Sequence, residues 1–594
     1  MKFTKQSVTH ARAYALLIVM AFTGVSLLVL TGAMTWSSQT ASITQRNNEY
    51  FVTLAAAEGA TERLLSRISD DYRSGGEALV YSRMAAYSDD IPTAADSAKW
   101  NAYEFSNGQG TLNSTFVNRL APSSFVNLDP PYKGLRGMAA TYRVVSNAKN
   151  FTTRNNLVGA VGQDVQVVSI PLFQFAIFYT LDLEINPGPP MTITGPVHAN
   201  ANIYTQPQNA LAFKGGVSSA GSIIPNKKSG DPLNRTPGTV AYTEKPLDGV
   251  SSLNLPIGTN NSSDAIHAVL ESPPFGESAN SQMGKERYYN KADVVILVTN
   301  VTTQSVVTKV QGGKTTYTTN YSTTTKVLGS SGAVNGFSTS IPAAQLGVFV
   351  STTSSFYDKR EAATIRPIDI DVAALKGWSA TNSVIRPVLN RDINIIYVED
   401  ARPVTLGEEA AVRIKNGQAL PPLGLTIATP EPLYVQGNYN APASALGTTN
   451  TTQTKPASLV GDSITVLSTA WNDANGGAGI GSRTAANTTV NAAFLGGIVE
   501  TRSGSYSGGV ENFPRFLENW GGKTFTYNGS MVVMFDSRIA RRPWGSSDVY
   551  SPPARNWAFD TSFLDPTKLP PGTPQLLTLN RVRWGAIAPG TTSF

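Results

Sequence analysis

A mainly β body behind one long N-terminal α-helix, with a solenoid-like core, is the fold class that the sequence predicts. Three observations predict it. Residues 13–36 carry no charged side chain. Charged residues make up only 15% of the 594 residues, whereas Gly numbers 51 and Pro 36, the profile of turn-rich β structure. An apolar-x-Gly-x-Val frame at Ile193-Thr-Gly195-Pro-Val197 returns twenty positions later at Phe213-Lys-Gly215-Gly-Val217. A chain of this length exceeds what one hydrophobic core usually organises, so two or three structural units are expected.

The charge-free stretch is long enough to cross a bilayer as a helix, for which roughly 20 apolar residues suffice. Lys2, Lys5 and Arg12 precede it and no comparable basic cluster follows. The positive-inside rule therefore places the N-terminus in the cytoplasm and the body outside. A cleaved secretory signal, with small residues at Thr31, Gly32 and Ala33, is the rival reading. Beyond the apolar stretch, Leu54, Glu58, Glu62, Leu65 and Ser69, with alanines at 55–57 and 60, continue a helical pattern that Gly75-Gly76 is expected to end. A helix from Ala13 to Arg73 would be roughly 90 Å long at 1.5 Å per residue. Its first half is membrane-apolar and its second amphipathic; an ordinary signal anchor followed by a separate helix is the alternative.

The segment RAYALLIVMAFTGVSLLVLTGA, followed by polar residues and AAAEGATERLL, resembles the N-terminal helices of minor type IV pilins and type II secretion pseudopilins. The resemblance covers about the first seventy residues. It implies a basic leader, a processing point at Ala13-Tyr14, and a helix that anchors the subunit and then serves as an assembly stalk. Two positions depart from the family pattern: Ala13 stands where Gly is usual before the cut, and Ile18 replaces the early glutamate of most pilins. Certain minor subunits also lack that glutamate, so Ile18 points to a minor role. The implied partners are the lipid bilayer, through residues 13–36, and other pilin-like subunits. The implied location is a bacterial inner membrane, single-pass, with the body periplasmic or on the cell surface.

The body divides by texture. Residues 1–75 form the anchor and stalk, and 76–140 read as a linker or small α/β cap. Residues 141–264 hold strands, from Tyr142-Arg143-Val144-Val145 to Leu181, Leu183 and Ile185, and then the first repeated frames. Residues 265–400 read as an inserted β-rich region whose hairpin pairs Gln304–Val310 with Tyr317–Tyr321. Residues 401–594 resume the frames around Gly437, Gly461, Gly496 and Gly529. A twenty-residue repeat of inward-alternating apolar side chains fits the rung of an irregular parallel β-helix, and TITGPVHANANIY and PLYVQGNYN resemble the coils of such proteins. β-sandwich domains are the alternative. Phe513, Phe516, Leu517 and Trp520 fall at helical spacing and predict a short aromatic helix capping the stack; an adhesive patch is its functional alternative.

Chemistry-bearing patterns are few. Cys is 0, which removes disulfides, thiolate metal sites and cysteine nucleophiles. The net charge of +6 is spread thinly, so no nucleic-acid partner is expected. His10, His198 and His267 are read as lacking a second histidine or a carboxylate at ligand spacing, so no metal or other cofactor is expected. Asp358, Arg360 and Glu361 sit together and would fasten a loop or form a binding or catalytic site. Asp392, Glu399, Asp400 and Arg402 are the nearest candidates for a polysaccharide lyase or glycosidase, although strand-end turns also favour Asp. The expected function is non-enzymatic: a structural or adhesive envelope component, with surface glycans among its candidate ligands.

Overall fold

The computed structural model describes residues 10–594 except 154, 313, 331–338 and 546–547, with side chains described from residue 14 onward. Lys2 and Lys5 thus lie outside the described residues, as do the side chains of Arg12 and Ala13. The chain is mainly β with one long N-terminal helix.

Helix α1 runs His10–Ser82. As far as Gly75 it is about 100 Å long at 1.5 Å per residue. No proline interrupts it, and its threonines turn their hydroxyls back into the helix, Thr23 onto Val19 O at 2.8 Å, Thr31 onto Leu27 O at 2.7 Å and Thr35 onto Thr31 O at 2.8 Å. Those hydroxyls need no water. From Tyr14 to Asn48 every described side chain is exposed. Full burial begins at Thr53, and Ala56, Ala57, Ala60, Leu64, Leu65, Ile68 and Tyr72 then form one inward stripe at spacings of three and four. The helix breaks at Gly75-Gly76, as the sequence predicts. Gly76 takes φ 66 and ψ −166, and a second, short helical stretch runs on to Ser82, tied to the sheet where Glu77 accepts from Arg119 Nη1 at 2.9 Å and from the Tyr142 hydroxyl at 2.7 Å.

The stripe packs on an antiparallel sheet of β1 (Tyr103–Ser106), β2 (Phe116–Asn127), β3 (Arg136–Asn150), β4 (Val158–Pro171) and the C-terminal strand Gln575–Ala586. β3 pairs with β1, β2 and β4, and β4 pairs with the C-terminal strand, Leu576 facing Ile170. Both ends of the chain therefore build one helix-on-sheet layer, and 172–574 leaves from β4 and returns to its neighbour.

Between those points most strands are short and parallel. The longest sheet runs in the order Val217–Ser219, Val197–Ala199, Ile177–Tyr179, Met531–Asp536, Ala493–Ile498, Ala457–Val460, Leu425–Ala428, Ile395–Asp400 and Val294–Gln311. A second wall stacks Ala363–Asp371, Glu408–Lys415, Leu433–Gln436, Ile464–Leu467 and Arg515–Phe516 in parallel. Val197 pairs in register with Val217 and with Ile177, and all three are buried, as the repeated frame requires. The hairpin expected after 304 is present as Val294–Gln311 against Lys314–Ser330, and Val294–Val298 also pairs in parallel with Ile396–Asp400 in the long sheet.

The aromatic segment corrects an expectation. Tyr506–Trp520 is not a helix: Val510–Asn512 makes a single 3-10 turn and Arg515–Phe516 a two-residue strand. Pro514 lacks the amide a helix needs, so the single turn ending at Phe513 is not continued, and Gly508 and Gly509 take φ 91 and 73 before it. Phe516 and Trp520 are buried all the same, their rings 5.4 Å apart and both against Phe525.

Candidate functional site

At the processing point implied by resemblance, Ala13 and Tyr14 both lie within α1, and Tyr14 is 72% exposed. Ile18 is also exposed. Leu16, Leu17, Val25, Leu28, Val29 and Leu30 continue the uncovered surface, and no heavy atom comes within 4 Å of a Cβ built on Gly24 or Gly32. This first half of α1 is an apolar rod without protein contact; a long apolar helix of this kind is compatible with a single-pass membrane anchor.

Asp358, Arg360 and Glu361 come together inside the body. Asp358 Oδ1 accepts from the amides of Arg360 at 2.6 Å and Glu361 at 2.9 Å, and its Oδ2 accepts from the Tyr434 hydroxyl at 2.7 Å. Glu361 accepts from Arg515 Nη1 at 2.9 Å and from the Arg542 amide at 3.0 Å. All four carboxylate oxygens thus receive donors from the protein itself. Ala362 then takes φ 49, turning the loop into the strand Ala363–Asp371. Burial, reinforced by the neighbouring Arg515 charge, pulls the Arg360 guanidinium down to about 9, and its Nε lacks a hydrogen-bond partner. Burial beside Glu361 and Asp358 likewise pushes the Glu409 carboxyl up to about 7. The cluster joins the 358–361 loop to the second wall and to the 540–542 loop.

The other acidic candidates are engaged separately. Asp392 is held by Arg386. Glu399 accepts from the Tyr397 hydroxyl at 3.1 Å. Asp400 and Arg402 form a two-bond pair at 2.6 and 2.8 Å. Glu431, which the sequence reading passed over, accepts from the Asp400 amide at 2.9 Å and from the Thr429 hydroxyl.

The histidines need one correction. His267 does have a carboxylate at helical spacing: Glu271 Oε1 stands 3.0 Å from its Nδ1, and Asp462 Oδ1 3.4 Å from its Nε2. Glu271, four positions on, was the available signal. Asp462 also accepts the amides of Arg538 at 2.5 Å and Ala540 at 2.9 Å, so the group fastens the 538–540 loop. His198 is buried between Ser218 at 2.8 Å and Asn200 at 3.0 Å, and burial pulls it down to about 4, leaving a neutral ring stacked on Phe178. Among the described residues no group of three His, Asp or Glu is placed to hold a metal ion.

No protein-family model matches the chain, and no curated protein matches it. Among solved structures the chain is similar to the crystal structure of the competence-associated pilin ComZ from Thermus thermophilus, with 11% identity, a TM-score of 0.28, and an alignment covering 90% of this chain and 97% of that one.

Proposed function

We propose that this chain is a membrane-anchored, extracytoplasmic, pilin-like subunit, non-enzymatic, in which 172–574 forms a β-helical head displayed by a helix-on-sheet base. The observation that carries the reading is the change along α1. Its side chains are exposed and apolar from Tyr14 to Trp36, and become a packed stripe from Thr53 onward, within one helix. An uncovered apolar rod of that length needs a bilayer or a bundle of equivalent helices. The packed half then fixes the rod to the body, as an anchor that doubles as an assembly stalk requires.

The reading extends to low stoichiometry at a filament tip. In pilins that resemble this helix, the early glutamate is neutralised when subunits dock, because an unpaired carboxylate in an apolar bundle is costly. Ile18 removes that requirement and the charge complement with it. A head of this size would also crowd a repeating shaft. The Asp358, Arg360 and Glu361 cluster serves in this reading as a loop fastening, since its carboxylate oxygens are fully used. Quantitative mass spectrometry of purified filaments tests the role. A few copies per filament are expected; abundance equal to the major subunit would refute the tip, and complete absence would leave a plain membrane anchor.

A further inference from the structure

One wall of the parallel stack is interrupted where the other is continuous. The long sheet passes from Ile177–Tyr179 directly to Met531–Val533 by parallel pairing. On another face, one three-stranded sheet ends at Ala554–Phe559 and a second begins at Met191–Ile193, and the two are separate sheets. A hydrogen bond from the Phe559 amide to Thr194 Oγ1 at 3.1 Å crosses between them. Prolines flank the gap. Pro187, Pro189 and Pro190 lead into one edge and Pro553 into the other, and none can donate an amide to close the ladder.

The interruption leaves a cleft of about 500 Å³ between the two edges. That is the size range of sites for small ligands, roughly 300–1,000 Å³. Its lining combines the four prolines and Met191 with Glu511, Arg555, Asn556 and Trp557. Glu511 is only 7% exposed, and its Oε2 has no hydrogen-bond partner. The Trp557 Nε1 is likewise buried without one. Arg555 acts on that carboxyl through its charge and not by a direct bond: its Nε and Nη2 donate to the Glu511 carbonyl at 3.1 and 2.8 Å, and its guanidinium lies 5.3 Å from the Trp557 ring. A buried acceptor and a buried donor each without a partner cost free energy unless something fills the cleft.

The geometry points to a binding site for a neutral saccharide in the cleft between Pro187–Met191 and Pro553–Trp557. A sugar hydroxyl both donates and accepts, so adjacent hydroxyls satisfy Glu511 Oε2 and Trp557 Nε1 together, and the C–H face of the ring rests on proline, Met191 and indole carbon. Other ligand classes fit less well. With Arg555 Nε and Nη2 spent on the Glu511 carbonyl, a phosphate or acidic sugar would find little free positive charge in the cleft. A peptide adding as a strand would find no donors at Pro187, Pro189, Pro190 and Pro553, and the edge strand Met191–Ile193 offers it only three residues. The site deepens the adhesive side of the proposed function and rests on it for its biological role, but its chemistry does not depend on filament membership.

The test is a glycan microarray of neutral and acidic oligosaccharides probed with the labelled, detergent-solubilised full chain, followed by tryptophan-fluorescence titration with the best neutral oligosaccharide. Saturable binding of at least one neutral oligosaccharide is expected, weakened at least tenfold in Glu511→Gln. Ala554→Trp, on the exposed rim, should abolish it without disturbing the core. Circular dichroism of each variant establishes that the fold persists. Absence of any saccharide binding, binding confined to acidic sugars, binding only of peptides, or affinity unchanged in both variants would overturn the site. None of these results bears on filament abundance, which reads the anchor separately.

Discussion

Gly159 of β4 lies directly against Leu54 of α1: a Cβ on Gly159 would stand 2.5 Å from the Leu54 amide nitrogen and 2.7 Å from the Thr53 carbonyl carbon. The two sit where full burial of the helix begins. Gly159→Ala should therefore push the stalk off the sheet, at a cost of about 1–3 kcal/mol, the usual range for overpacking. Gly377→Ala, with open space around its Cβ in the helix Val372–Thr381, is the control and should be neutral or slightly stabilising. Chemical denaturation of the solubilised protein reads both; equal midpoints would mean that the seam is not where the helix is held.

Stability should fall as pH rises from about 4.5 to 8. Burial pushes the Glu431 carboxyl up to about 8 and Glu511 up to about 7, so in that window the folded state holds protons that the unfolded state has released. Each such group costs the fold progressively more up to its folded pKa and no more above it. Glu431→Gln should raise the unfolding free energy at pH 8 by on the order of a few kcal/mol, and with it the midpoint, and change both little at pH 4.5. A midpoint for the variant that tracks the parent at both pH values would contradict the assignment.

Arg413 is buried between two acids, bonded to Asp369 at 2.7 and 3.0 Å and to Asp473 at 2.5 and 3.1 Å. Burial alone would raise the Asp369 carboxyl, but hydrogen bonds from Arg413, Lys415 and Ser354 hold it below the usual carboxylate range. Its contribution is present above the unfolded value, about 3.9, and is lost as pH falls through the lower folded one. Arg413→Met leaves the buried acid short of its main partner and should cost about 3–5 kcal/mol at neutral pH. Thermal unfolding at pH 7 measures it, and a shift under 1 °C would show the pair to be dispensable.

Deleting residues 14–36 removes side chains that are all exposed. The truncated protein should leave the membrane fraction and keep the parent's circular dichroism apart from the lost helical signal. Cell fractionation with immunoblotting decides this, and continued membrane association would place the anchoring surface elsewhere.

Local patterns in the sequence carried much of this architecture. The shared frame put Val197 opposite Val217, and the glycine-containing stretch after Gln311, between two strand-like runs, located the hairpin. Pairings between distant segments left no local trace: Leu576 opposite Ile170 joins strands from opposite ends of the chain, and neither sequence marks the other. The aromatic segment misled because Phe513, Phe516 and Trp520 have helical spacing, yet Pro514 and two left-handed glycines decide the backbone there. At the sites, Asp358, Arg360 and Glu361 were visible as neighbours in sequence, whereas their partners Tyr434, Arg515 and Arg542 come from three later segments. The cleft at Glu511 and Trp557 was hidden for the same reason, although Pro187, Pro189, Pro190 and Pro553 were legible as residues unable to extend a ladder.

The most direct test of a retained, pilin-like anchor is N-terminal sequencing of the protein recovered both from membranes and from sheared surface material. The account predicts Tyr14 as the first residue in both fractions, with the apolar half of α1 intact. A first residue beyond Ala33, as a removed secretory signal would leave, or an unprocessed Met1 confined to the membranes, would contradict it.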